Sequence, residues 1–184
     1  IVPIIIWSVN AETSKKLAAI LKPFLYDKNL FVISSDFSHY PRYENAVKVD
    51  MATAEAIQTN KASKLLAALD DNEKKKIPGL ATSLCGWSSV LTLLNMTEEM
   101  PNLSVELLQY KNSGDSRFGG RDGVVGYCAI SFTPTIQKSQ ANEFSLSDED
   151  KKYLLKLARE TITQYVRKGT TPEVDDSHLS TTVK

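Results

Sequence analysis

The chain has 184 residues, with Lys plus Arg and Asp plus Glu balanced at 22 each, two histidines and two cysteines. That length can bury a sizeable core, and the charge balance supplies no global field toward nucleic acid or anionic membrane. No apolar run approaches the ~20 residues of a membrane-spanning helix, and two cysteines without CxxC spacing read as reduced thiols of a cytoplasmic setting rather than a disulfide framework.

In chain order, Ile1 to Trp7 has the continuous β-branched character of a strand buried on both faces. It starts without an initiator methionine, cap or leader, so the expectation is a chain that begins in the middle of a sheet. Glu12 to Leu25 carries Leu17, Ile20, Leu21 and Leu25 at helical spacing, with Pro23 disturbing the late turns. Leu30 to Ser34 reads as a second strand. Glu44 to Thr59 places Val47, Met51, Ala54 and Ile57 on one helical face, and Lys61 to Leu69 forms a shorter helix with Leu65, Leu66 and Leu69 inward. Asp70-Asp71-Asn72-Glu73 and the lysines Lys74 to Lys76 are expected in a solvated connection ending at Pro78-Gly79. A helix follows Cys85-Gly86, with Val90, Leu91, Leu93 and Leu94, and Pro101 bars its continuation. Leu103 to Tyr110 and Gly123 to Phe132 read as strands around a glycine-rich loop. This alternation argues for a layered α/β domain.

Beyond Phe132 the character changes, and residues 135 to 145 have the polar composition of a linker. Ser147-Asp148-Glu149-Asp150 then matches an N-terminal capping box and opens an amphipathic helix with Leu154, Leu157, Ala158, Thr161, Ile162 and Tyr165 on one face, closed by Gly169 and Pro172. The dozen residues after it cannot cover that face. The helix is therefore expected to begin a second domain that the chain does not complete.

The chemistry concentrates in residues 30 to 43, where an apolar run ends in Ser34, Ser35, Asp36, Ser38 and His39. A buried strand has no use for such a cluster, whereas the rim of a site at a sheet end does. His39 and Asp36 are three apart, a spacing that lets a carboxylate fix an imidazole tautomer; the alternative is a capped histidine at a helix start. His178, in a polar tail with Asp175 and Asp176, reads as exposed and inert. Cys85 before Gly86 is either a reactive thiol or a small buried residue at a turn, and Cys128 reads as plain core. Asp115 and Arg117 either contact a ligand or form a solvated turn. The loop is no phosphate loop, because no Gly-Lys-Ser/Thr follows a strand.

Val2-Pro3-Ile4, Val32 to Tyr40, Cys85-Gly86, Tyr110 to Asp115 and Val124-Val125-Gly126-Tyr127 occur in an order that resembles the Memo family over residues 1 to 134. Leu146 to Asp150 running into Leu154 to Arg159 resembles the opening of an AMMECR-type domain, giving a Memo-like part at 1–134, a linker at 135–145 and a truncated AMMECR-like start at 146–184. The resemblance implies a layered α/β core of class III extradiol dioxygenase type, incomplete at its N-terminus, plus the C-terminal amphipathic helix. It further implies that His39, with Asp36, holds the position of an acid or base, and that Cys85 stands where those enzymes use a carboxylate metal ligand. Ser35, Ser38 and Asp115 are expected on the pocket rim. The remaining histidine ligands belong to a half that the resemblance places outside this chain. A thiolate beside imidazoles favours a softer ion, so iron or copper is expected in a full-length protein and no cofactor in this chain alone. Two functions follow: a metal-dependent oxidoreductase of dioxygenase type, or a binding or scaffolding module that kept the pocket and lost catalysis. A thiol redox role for Cys85 is the third. The partner is expected to be a small molecule or a protein, with neither nucleic acid nor membrane involved, and the sequence leaves the oligomeric state open.

Overall fold

In the computed structural model, which describes residues 2–7, 10–25, 28–135 and 146–174, the first unit is organised around the helix Tyr43–Gln58, here α2. Its buried positions Ala46, Val49, Ala54 and Ile57 recur at helical spacing, and two polar residues, Asp50 and Thr53, fall on the same inward face. The inward face is rotated from the expected one, since Val47 and Met51 are only half-buried. The other helices of this unit are α1 (Ala11–Leu21), α3 (Ala62–Lys74) and α4 (Trp87–Thr97). Asn10 caps α1 by accepting the Thr13 N–H at 2.8 Å, and a single 3₁₀ turn at Lys22–Phe24 follows where Pro23 interrupts the α pattern.

Helix α3 runs on to Lys74, through the residues expected to form a connection. Asp70 and Lys74 pair one turn apart, and Asn72 is buried, its amide donating to Thr53 Oγ1 at 3.2 Å. The polar run is thus a helical face with one residue turned inward onto α2.

Strands β1 (Leu103–Asn112) and β2 (Gly126–Pro134) form an antiparallel pair in which Leu103 faces Pro134 and Asn112 faces Gly126. Register slips by one residue between Leu107 and Gln109, and the extra residue, Leu108, points to solvent. The core gathers Phe37, Ala54, Ile57, Leu65, Leu84, Leu91 and Leu94, with Val105, Leu107, Ile130 and Phe132 of the hairpin packed against it. Five helices and one two-stranded sheet among the described residues make this an α/β protein.

Two expected strands are absent from that sheet. Residues 2–7 and 30–34 have no strand assignment, and Ile5 and Leu30 are 89% and 88% exposed. A strand exists through hydrogen bonds to a neighbour, and no backbone hydrogen bond joins either run to a described residue. The period-two pattern persists nonetheless, for Phe31, Ile33 and Ser35 are half-buried while Leu30, Val32 and Ser34 are exposed.

The second compact unit begins at Ile136, and of the expected linker at 135–145 all but Thr135 lies outside the described residues. So does the tail holding His178. Helix α5 spans Asp148–Lys168. Ser147 Oγ accepts the Asp150 N–H at 3.0 Å and Asp150 reciprocates in a capping box. At the other end Gly169 adopts φ +69° and donates to the Tyr165 carbonyl.

Candidate functional site

The segment 36–40 is held on both edges. On one side the His39 N–H donates to the Thr82 carbonyl at 3.0 Å, the Ala81 N–H donates to the His39 carbonyl at 3.0 Å, and the Cys85 N–H donates to the Asp36 carbonyl at 3.1 Å. On the other side the Phe37 N–H reaches the Gly126 carbonyl and the Tyr40 N–H the Val124 carbonyl, at 2.9 and 2.7 Å. His39 is therefore a bridge residue between two antiparallel neighbours. Tyr40, with φ +70°, turns the chain away immediately after it.

This clamp sets Asp36, His39 and Cys85 together, with one ligand atom from each lying within 4.8 Å of the others. Asp36 Oδ2 is 3.5 Å from His39 Nε2, and the Asp36 N–H donates to Cys85 Sγ at 3.2 Å. Cys85 is exposed and directly precedes Gly86, the N-terminal cap of α4. Gly86 has no room for a side chain, since a Cβ there would sit 2.8 Å from Ser35 Cβ and Oγ. Its N–H donates to Ser35 Oγ at 2.9 Å. Ser35 Oγ in turn donates to the Asp36 carbonyl at 2.8 Å and lies 3.7 Å from Cys85 Sγ. Nε2 of His39 is buried without a hydrogen bond among the described residues. An imidazole nitrogen left without a partner beside a thiol and a carboxylate is a donor set that suits a transition metal.

Ser35 lies beside the thiol. Ser38 does not. It is fully buried behind the cluster, and its N–H donates to Asp50 Oδ1 at 2.8 Å. Asp115 is placed elsewhere, in a loop where it accepts from Tyr43 Oη at 2.6 Å and from the Asn112 N–H at 2.9 Å. Those bonds, the Tyr43 hydroxyl first, hold its carboxyl below the usual range, while the Arg121 guanidinium stacks 4.2 Å above the Tyr43 ring. Arg117 lies over Phe118 at the exposed tip of that loop. Two cavities of about 480 and 490 Å³ flank the core, and neither is lined by Asp36, His39 or Cys85. Cys128 is half-buried in the first, where burial pushes its thiol up to about 12.

A buried polar group behind the site escaped the sequence reading. Asp50 is fully buried on α2, with Oδ2 accepting from Tyr110 Oη at 2.9 Å, and Asn112 Nδ2 donates to the same hydroxyl at 3.2 Å. Burial raises the Asp50 carboxyl above its usual range, opposed by the Ser38 N–H, the Tyr110 hydroxyl and the nearby His39. Burial likewise raises the Tyr110 hydroxyl. The available signal was positional: Ala46, Asp50, Thr53 and Ile57 share one helical stripe, and a carboxylate on a core stripe needs partners.

An α/β domain carrying a thiol, an imidazole and a carboxylate at the meeting of three segments defines a class of candidate metal-site proteins, and comparison with known proteins is specific about which. The Memo-like protein family matches residues 1–131. A MEMO1 family protein of Methanobrevibacter smithii is 35% identical over 132 residues, covering 70% of this chain and 44% of that protein. One from Pyrobaculum arsenaticum is 32% identical over 136 residues, covering 72% and 45%, and one from Methanosarcina mazei is 28% identical over 133 residues, covering 71% and 46%. The chain belongs to the Memo-like family. It spans a little under half the length of these curated relatives.

Proposed function

We propose that the protein is a metal-binding member of its family, in which Cys85 Sγ, His39 Nε2 and the Asp36 carboxylate contribute to one site for iron or copper. The observation that carries this reading is the gathering of three different donor atoms within 4.8 Å, one of them a buried nitrogen without a hydrogen bond. When bound, such an ion supplies Lewis-acid or one-electron chemistry. The chain's own contribution is to hold the donors: Asp36 sits within ion-pair reach of the imidazole, and the Asp36 N–H donates to the Cys85 sulfur.

In a protein of the relatives' full length this site belongs to an oxidoreductase of extradiol dioxygenase type acting on a small molecule, with a pocket completed by residues beyond those matched here. The thiolate favours a second reading, a binding or scaffolding module without turnover, because sulfur in place of a carboxylate shifts the site toward softer ions. Helix α5, with its capping box, is the opening of an AMMECR-type module in the same reading. The two free thiols fit a reducing, cytoplasmic setting. No described helix is long and apolar enough to cross a membrane.

Anaerobic titration of the full-length protein with Fe(II) and with Cu(I) tests the site. About one equivalent is expected, with at least tenfold weaker binding in Cys85→Ala, in line with the usual effect of removing a metal-site partner. Unchanged binding in that variant removes Cys85 from the site. Oxygen uptake with a panel of catechols separates the two readings, since tight metal binding without turnover favours the scaffold.

A further inference from the structure

We infer that Asp50 is a positioning residue for the metal-site candidate, acting on His39 through the Ser38 N–H; the inference deepens the metal-site reading and rests on it for function, though its geometry stands apart. The pairing between residues 37–40 and 124–126 is not regular. Phe37 donates to the Gly126 carbonyl while the Gly126 N–H donates to the Ser38 carbonyl at 2.9 Å, so two consecutive residues share one partner. That is the arrangement of a bulge, which re-aims the side chains beyond it and leaves one N–H without a place in the ladder. Here the displaced N–H is that of Ser38, and a buried carboxylate takes it at 2.8 Å.

Three features show that the carboxylate is built in rather than incidental. Asp50 is wholly buried, where a carboxylate persists only with good partners, and Tyr110 supplies the second one at 2.9 Å. Gly126 is open on exactly this side, for a Cβ there would collide with Oδ2 of Asp50. Residue 39, next along from the anchored N–H, is the one whose Nε2 is turned to Asp36 and Cys85. Without the carboxylate the bulge has a buried unpaired N–H, and the cheapest remedy is for the chain to restore regular pairing. His39 is already in register opposite Val125, so the correction falls on the residues before it, and Asp36, with the sulfur its N–H holds, swings away from the imidazole.

The test uses two independent readouts, NMR on the 184-residue chain and Co(II) titration of the full-length protein. In metal-free protein, NMR measures the Overhauser contact between the His39 ring and the Cys85 β-protons; Co(II) titration reads the sulfur-to-cobalt band. Asp50→Ala is expected to lose the contact and to weaken Co(II) about tenfold. Asp50→Asn keeps an acceptor for the Ser38 N–H and is expected to retain the contact. Should Asp50→Ala fail to fold, Asp50→Leu with Tyr110→Phe fills the same space without an acceptor, and the same loss is expected there. A folded acceptor-free variant that keeps the contact overturns the inference, as does loss of the contact in folded Asp50→Asn. Wild-type full-length protein that takes up no Co(II), while the contact in the 184-residue chain still depends on Asp50, counts against the metal reading and supports this one.

Discussion

Residues 30–34 and 36–40 are consecutive parts of one run, and they behave as different materials. The first is apolar and β-branched, the composition that favours strands, yet no backbone hydrogen bond joins it to any described residue and Leu30 and Val32 face solvent. The second is mostly polar, and every N–H in it has a partner: Cys85 Sγ, the Gly126 carbonyl, Asp50, the Thr82 carbonyl and the Val124 carbonyl in turn. Neighbours, not composition, make a rigid segment. The site sits on the part whose partners are all present.

The largest test of that contrast lies beneath the clamp. Leu94 of α4 is completely buried in the cluster that also contains Phe37 and Leu84, residues within the clamped segments. Leu94→Ala should cost about 3 kcal/mol, from lost transfer energy plus the cavity left behind. Urea unfolding followed by circular dichroism measures it. A cost under about 1 kcal/mol would mean that the clamp does not rest on this core.

Much of this arrangement was legible in the residues. Helices α2, α4 and α5 follow from apolar spacing, and the ends of α5 from the capping signals at Ser147 and Gly169. Asp36 and His39 stood out because polar residues end an apolar run; Cys85 joined them only through the family resemblance, since 46 residues of chain separate it from His39 and nothing local announces their meeting. The anchoring by Asp50 was only half legible, since its place on the core stripe of α2 signals burial but not the partners. A carboxylate in a helix reads as solvated, and its burial depends on Gly126 and Tyr110, which approach from the hairpin. The runs at 2–7 and 30–34 were misread for the converse reason, because a continuous apolar, β-branched run states a preference for a strand and cannot supply the neighbour that makes one.

A smaller effect is expected from titration of the anchored segment. The Asp50 carboxyl is raised above its ordinary 3.8, chiefly by burial, with Ser38, Tyr110 and His39 opposing. The folded state thus holds this proton to higher pH than the unfolded chain does. Its contribution to stability is complete below the ordinary value and is lost as pH rises through the raised one. Asp115, held low by Tyr43, has the opposite sign: its contribution is present above the ordinary value and is lost as pH falls. Asp50→Asn should therefore flatten the decline in stability as pH rises above the ordinary carboxylate value and leave the acid-side loss below that value in place. Denaturation midpoints on both sides of that value read the difference, and an unchanged slope in the variant would show Asp50 to be solvated.

The smallest effect belongs to the unpartnered run. Val32 is 77% exposed and lies three residues before the half-buried Ser35 beside the site, so its side chain has little transfer energy to lose. Val32→Thr keeps the β-branched shape and should change the stability of the 184-residue chain by no more than about 0.5 kcal/mol. The same substitution at the buried Val49 of α2 places a hydroxyl in the core, which costs about 1 to 3 kcal/mol when no partner is found. Measured side by side, the pair isolates what a neighbour adds to one residue type in one chain. Equal costs at both positions would mean that Val32 is covered in solution, and the contrast between the two halves of the run would then lie in their hydrogen bonds alone.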